Sequence, residues 1–238
     1  MRVYFTRGLR QGRMLAALPA LLFLGACTTT QKAPVENRAA ICSFLGTVCN
    51  KLTKGGEGQL DLRYVNTKAN WTQYKSVIVD PVVIWSSSES NISQPDQQRL
   101  ANYFYESLKQ HLSTRFTIAD APGTGVMRLQ VALTDAQGAT PGLRTITMAI
   151  PQARTLSTLG YLATGSYPFV GAAQGAAKLT DSMSGDLLAA VADRQIGGGH
   201  IKAAAQWTLG DAQNAIDHWA EGAANKLAAW TSGAEQPK

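Results

Sequence analysis

Ser76-Val77-Ile78-Val79-Asp80-Pro81-Val82-Val83-Ile84-Trp85 is nearly continuous in β-branched and apolar residues. A strand of that composition expects burial on both faces, with helices above and below, because a half-exposed strand would alternate with polar residues. Pro81 has no N–H to donate, so the strand is expected to bulge or stop pairing there. This run alone argues for an α/β fold.

Downstream, Ser93 with Asp96 three residues on makes a capping-box-like helix start, and Pro95 is tolerated in the first turn. Leu100, Phe104, Leu108 and Leu112 then recur at helical spacing, with Tyr103 beside them. Phe116-Thr117-Ile118 leads into a short strand, and Pro122-Gly123 turns the chain. Met127, Leu129, Val131 and Leu133 alternate with polar residues, as in a strand with one core face. Residues 144–150 alternate similarly and could pair with it. Residues 176–181 and 186–194 read as a hairpin over Ser182-Met183-Ser184-Gly185, whose glycine suits a positive φ. The last element is an amphipathic helix starting at Asp211, read as its N-cap, and ending at Trp230. Leu209, Ala212, Ile216, Trp219, Ala223, Leu227 and Trp230 step along it by threes and fours. The expected assembly is a mixed sheet with two long helices packed on it. It occupies residues 59–232, followed by a disordered tail at 233–238.

Residues 151–175 are harder to assign. Leu156, Leu159 and Leu162 suggest a short helix, and glycines interleave with Tyr161, Tyr167 and Phe169. Such a segment reads as a packed loop; its alternatives are a pocket lining, a partner contact or a bilayer contact. Trp219 and Trp230 read as core, with a partner surface as the alternative.

Upstream of the domain, Arg2, Arg7, Arg10 and Arg13 precede an apolar stretch at 14–24 that closes on Leu24-Gly25-Ala26-Cys27. This is the pattern of a lipoprotein signal peptide, residues 1–26, cut before a cysteine that becomes lipidated. The apolar stretch falls short of the roughly 20 residues a spanning helix needs. Thr28 stands where an aspartate would resemble an inner-membrane retention signal, so the expected location is the outer membrane, with the domain facing the periplasm. Residues 27–58 are expected to be a polar tether with a reach of about 30 Å. Within it, Ile41, Phe44, Leu45, Val48 and Leu52 suggest a packed turn.

The whole chain carries a net charge of +6. Without the four signal arginines, 18 basic side chains face 16 acidic ones, a balance that gives no support for nucleic-acid binding, which usually shows a basic patch or stripe. With Cys27 spent on lipid, Cys42 and Cys49 are expected to pair in an oxidising compartment. No histidine or further cysteine lies near enough in sequence to complete a tetrahedral metal site with them.

Little else signals chemistry. His111, His200 and His218 are scattered, and no His-Glu-x-x-His, nucleophile elbow or Walker loop is present. Gly197-Gly198-Gly199-His200 could hold an anion on backbone amides, but lacks a strand–loop–helix context. Asp80, Asp135, Asp181 and Asp193 lie in or at the ends of strands; buried carboxylates need partners, which Arg128 or Arg194 could supply. The expectation is a binding or scaffolding protein rather than an enzyme, without cofactor. Its partner would be an envelope protein or a second copy. A small-ligand or lipid-binding domain is the alternative, and a hydrolase built on the strand-end aspartates a further one.

Several stretches resemble a family of bacterial lipoproteins known as domain of unknown function 3313. They are Leu62-Arg63-Tyr64-Val65-Asn66, Asn70-Trp71-Thr72-Gln73-Tyr74-Lys75, Ile78-Val79-Asp80-Pro81-Val82 and Tyr167-Pro168-Phe169-Val170-Gly171. Thr180-Asp181-Ser182-Met183-Ser184-Gly185-Asp186-Leu187-Leu188-Ala189-Ala190, Asp193-Arg194 and Asp217-His218-Trp219-Ala220 complete the set. The resemblance implies a lipoprotein and brings no catalytic residue. The order of elements also looks like that of the curli secretion lipoprotein and penicillin-binding-protein activators, which implies partner binding or self-assembly by analogy of fold alone.

Overall fold

The computed structural model describes residues 30–85, 92–137, 171–197 and 209–238. Its central apolar run is one strand in two pieces. β4 (Ser76–Val79) and β5 (Val83–Ile84) both lie parallel to β7 (Val126–Gln137), with Val79 opposite Leu129 and Val83 opposite Ala132. The break falls at Pro81, where the missing donor interrupts the ladder.

Among the described residues nine strands form one mixed sheet. The others are β1 (Thr30–Ala33), β2 (Thr53–Lys54), β3 (Leu62–Val65), β6 (Thr117–Ile118), β8 (Ala172–Asp181) and β9 (Leu187–Gly197). Their order is β2-β3-β9-β8-β7-β4-β6, with β1 also on β9 and β5 on β7. The pairs of β4 with β6 and β7 are parallel, as is that of β5 with β7; the rest are antiparallel. The β8–β9 hairpin turns over the expected residues, and Gly185 has φ +75°. The proposed strand at 144–150, the helix around 156–162 and Gly198-Gly199-His200 lie outside the described residues.

Two long helices, α2 (Gln94–Ser113) and α3 (Gly210–Ser232), share one face of the sheet. (The shorter α1 spans Arg38–Leu45.) Leu100, Leu112, Met127, Leu133 and Ile216 are all at most 1 % exposed between them and the strands. Ser93 caps α2 by accepting from the Asp96 N–H at 3.3 Å, as its sequence indicates. Asp211 does not cap α3; Leu209 holds that place, and Asp211 lies in the first turn, accepting from the Gly171 N–H at 2.9 Å. The tail beyond it is not free either. Gly233 adopts the left-handed conformation, and Glu235 meets Lys226 at 3.0 Å.

The opposite face corrects the expected tether. From Thr30 onward the chain belongs to the sheet: β1 pairs with β9 from Thr30↔Gly197 to Ala33↔Arg194. Backbone pairing needs no apolar side chains, so a polar stretch serves as a strand without announcing itself. α1 follows, then a 3-10 turn at Gly46–Lys51. Their Ile41, Leu45 and Cys49 are buried against Ala176, Ala190 and Ala192 of β8 and β9, where small side chains let a helix approach the sheet.

Cys42 and Cys49 are joined there, with a Cα–Cα distance of 5.1 Å. Opening so short a loop costs about 2–3 kcal/mol in the chain-entropy account. The Cys42→Ser/Cys49→Ser double variant is therefore expected to melt about 5–10 °C lower by calorimetry. A reductant should lower the wild type similarly and leave the double variant unchanged.

Candidate functional site

At the hairpin end of the sheet, an open cavity of about 420 Å³ lies between β3, the 3-10 turn Trp71–Gln73 and the β8–β9 turn. Its polar lining comes from Lys51, Tyr64, Asn66, Lys68, Asn70, Gln73, Tyr74 and Asp186. Asn66 holds the walls together: its backbone N–H donates to the Leu188 carbonyl at 2.8 Å, and its side-chain amide to that of Leu187 at 3.3 Å. Its own carbonyl accepts from Trp71 Nε1 at 2.9 Å. Lys51 Nζ lies 5.4 Å from the centre of the Tyr64 ring, which orients an ammonium at the rim.

Tyr74 forms the floor, only 2 % exposed, and donates its hydroxyl to Asp181 Oδ2 at 2.9 Å. Asp181 Oδ1 in turn accepts the N–H groups of Met183 and Ser184, each at 2.9 Å. Burial first, and then the hydrogen bond to Asp181, push the Tyr74 phenol up to about 12. The backbone N–H of Ser184 is the leading cause that holds the Asp181 carboxyl below its ordinary value. This pair therefore shapes the hairpin and does not exchange a proton near neutrality.

Tyr103 follows the same rule on α2: burial and its 2.7 Å hydrogen bond to Asp217 raise it to about 12. Both phenols are raised above their unfolded value of 10.0. Their contribution to stability is thus fully present below pH 10 and lost as the pH rises toward 12. Absorbance titration of phenolate should show a late phase that shrinks in Tyr74→Phe and again in Tyr74→Phe/Tyr103→Phe. A titration in which all tyrosines ionise together near 10 would contradict it.

The strand aspartates go to separate places. Asp80 pairs with Arg128 at 2.9 Å beside a second cavity of about 380 Å³ between Phe44, Pro81 and Val83. Asp135 lies on β7 beyond Leu133, opposite Gln174. Asp181 forms the hairpin turn just described. Asp193 is 2 % exposed and accepts from the Asp61 N–H, from Gln195 Nε2 and from Trp219 Nε1. Arg194 turns to the opposite face and meets Glu36 at 3.2 Å. Among the described residues no three histidine, cysteine or acidic side chains gather as metal ligands would.

Trp219 and Trp230, read above as core with a partner surface as the alternative, face inward. The Trp219 ring stacks on Phe104 at 5.8 Å, and Trp230 is 7 % exposed with its ring 4.9 Å from that of Trp71. On an amphipathic helix the apolar stripe follows the sheet, so its largest rings are drawn into the core. Tyr161, Tyr167, Phe169 and Cys27 lie outside the described residues. Lys51, Lys68, Asn70 and Gln73 were not singled out for the site in sequence, because no spacing links the separate segments that line the cavity.

Leu62–Val65 with Asn66, the stretch from Asn70 to Lys75 and the hairpin turn, all singled out by the resemblance, meet around this cavity. The model of a protein family described as "Protein of unknown function (DUF3313)" matches residues 44–223. This chain belongs to the DUF3313 family. Curated proteins offer this DUF3313 member no match. Among solved structures, the PelC dodecamer from Paraburkholderia phytofirmans is 10 % identical, with a TM-score of 0.38 over 69 % of this chain and 97 % of that one. Protein XCC0632 from Xanthomonas campestris, of family DUF330, is 10 % identical, with a TM-score of 0.38 over 72 % and 96 %.

Proposed function

We infer that this chain is a lipid-anchored protein of the bacterial outer membrane whose periplasmic domain binds another envelope component in the hairpin-end cavity. The observation that carries the binding reading is the cavity lining. Two ammonium groups, Lys51 and Lys68, stand with the side-chain amides of Asn70 and Gln73 around an open space. Such groups recognise polar or acidic surfaces by charge and hydrogen bonding. The strand aspartates that would have served a hydrolase are dispersed. Support for the anchor is the stretch Leu24-Gly25-Ala26-Cys27 behind four arginines, and Thr28 favours the outer membrane.

Crosslinking in intact envelopes tests the binding mode. The wild type is expected to capture a partner that Lys51→Glu/Lys68→Glu fails to capture, while the melting temperatures stay alike. Equal capture by both would remove the cavity from consideration. For the anchor, Cys27→Ser should leave the membrane fraction; a variant that stays bound and active would sink that part. A volume of about 420 Å³ also falls within the range of small-ligand pockets. A small polar molecule carried by the wild type but not by the double variant, seen by native mass spectrometry, would decide for that second reading.

A further inference from the structure

We propose that the sheet end holding Thr30, Ala172 and Gly197 is the face on which the domain rests against the lipid bilayer, with the polar cavity pointing away from it. This rests on the reading of Cys27 as the lipidated residue. Cys27 lies three residues before Thr30, and that length of fully extended chain reaches about 11 Å at most. Thr30 itself is held: it is 7 % exposed and pairs with Gly197, the first of four paired residues in β1. The acyl chains therefore cannot sit farther from this sheet end than one layer of lipid headgroups.

Several elements share that end. Gln137 lies opposite Ala172, Ala172 opposite Ile196, and Ile196 opposite Gln31. The start of α3 joins them through the hydrogen bond from Gly171 N–H to Asp211. Gln137, Gly171 and Gly197 thus all lie at this end. At the other end is the β8–β9 turn, where Met183 is 67 % exposed. The length of β9, 11 residues, separates the two ends by about 35 Å. An anchor joined by so short a link thus sets orientation as well as location, and presents the cavity to the aqueous side.

The test uses the mature lipidated protein in phosphatidylethanolamine–phosphatidylglycerol vesicles that carry nitroxide on their headgroups. With Cys42 and Cys49 joined and Cys27 acylated, an engineered cysteine is the free thiol available to a fluorophore. Lys32→Cys reports the β1 end and Met183→Cys the hairpin end. Label at position 32 should be quenched several-fold more strongly than label at 183. Inserting a 20-residue Gly/Ser linker, with a reach of about 25 Å, before Thr30 should reduce that difference. Equal or reversed quenching in protein that floats with the vesicles would overturn the assigned face while leaving the anchor intact. Protein that does not float would overturn the anchor and the face together.

Discussion

Replacing Asp193 by alanine is expected to cost about 3–5 kcal/mol of stability, a large share of what a domain of this size holds. The side chain is buried, and its two oxygens serve three donors from three parts of the chain. Asp61 N–H reaches Oδ1 at 2.9 Å, while Gln195 Nε2 and Trp219 Nε1 reach Oδ2 at 2.7 and 2.9 Å. Alanine leaves all three donors without an acceptor in a space that water enters poorly, and each such loss costs about 1–3 kcal/mol. Asparagine should cost less, since it keeps one acceptor for Asp61 but turns an amide N–H₂ toward the other two donors. Urea unfolding would read both effects as shifts of midpoint at constant slope. Because Trp219 is one of the donors, Asp193→Ala and Trp219→Phe should combine to less than the sum of their separate costs. Additive costs would mean that the indole bond contributes nothing.

Trp230→Ala is expected to be similarly damaging, about 3–5 kcal/mol. Its ring fills the junction of α3 with the 3-10 turn at Trp71, where no neighbour can collapse into the space a large aromatic leaves. Trp230→Phe should be far milder. The indole Nε1 is buried without a hydrogen-bond partner among the described residues, so phenylalanine keeps most of the packing and forfeits no bond. A partner-facing tryptophan would behave otherwise: alanine would leave the melting temperature unchanged and weaken only binding. Calorimetry of the two variants distinguishes a core ring from a docking ring. A shift below about 1 °C for alanine would contradict the core assignment, given roughly 2–4 °C per kcal/mol at this size.

These two residues also show how far local sequence reaches. The helix stripe containing Trp219 and Trp230 was legible from its spacing, because a 3.6-residue period is a property of neighbours along one element. Whether that stripe meets the sheet or a partner depends on where the helix lies, which spacing does not encode. Asp193 is a similar case. Its place in a strand could be read from the apolar residues around it, whereas its three donors come from residue 61, residue 195 and α3. The cavity was the least legible feature, since its walls come from Lys51, the 64–74 region and the 186–188 turn. No one of these segments looks like a site alone.

The sequence by itself determined four features: the two-piece strand broken at Pro81, the capped helix after Ser93, the hairpin over Gly185 and the pairing of Cys42 with Cys49. Each follows from local chemistry, a missing donor, a capping hydroxyl, a permitted positive φ or the cysteines left over. Only the tertiary structure decided that residues 30–33 are a strand of the sheet rather than a spacer, that both tryptophans of α3 turn inward, and that separate polar segments enclose one cavity. The reason is the same in each case. Strand pairing is made by backbone groups that every residue carries, and burial is set by what arrives from elsewhere in the chain; neither leaves a mark at the position itself.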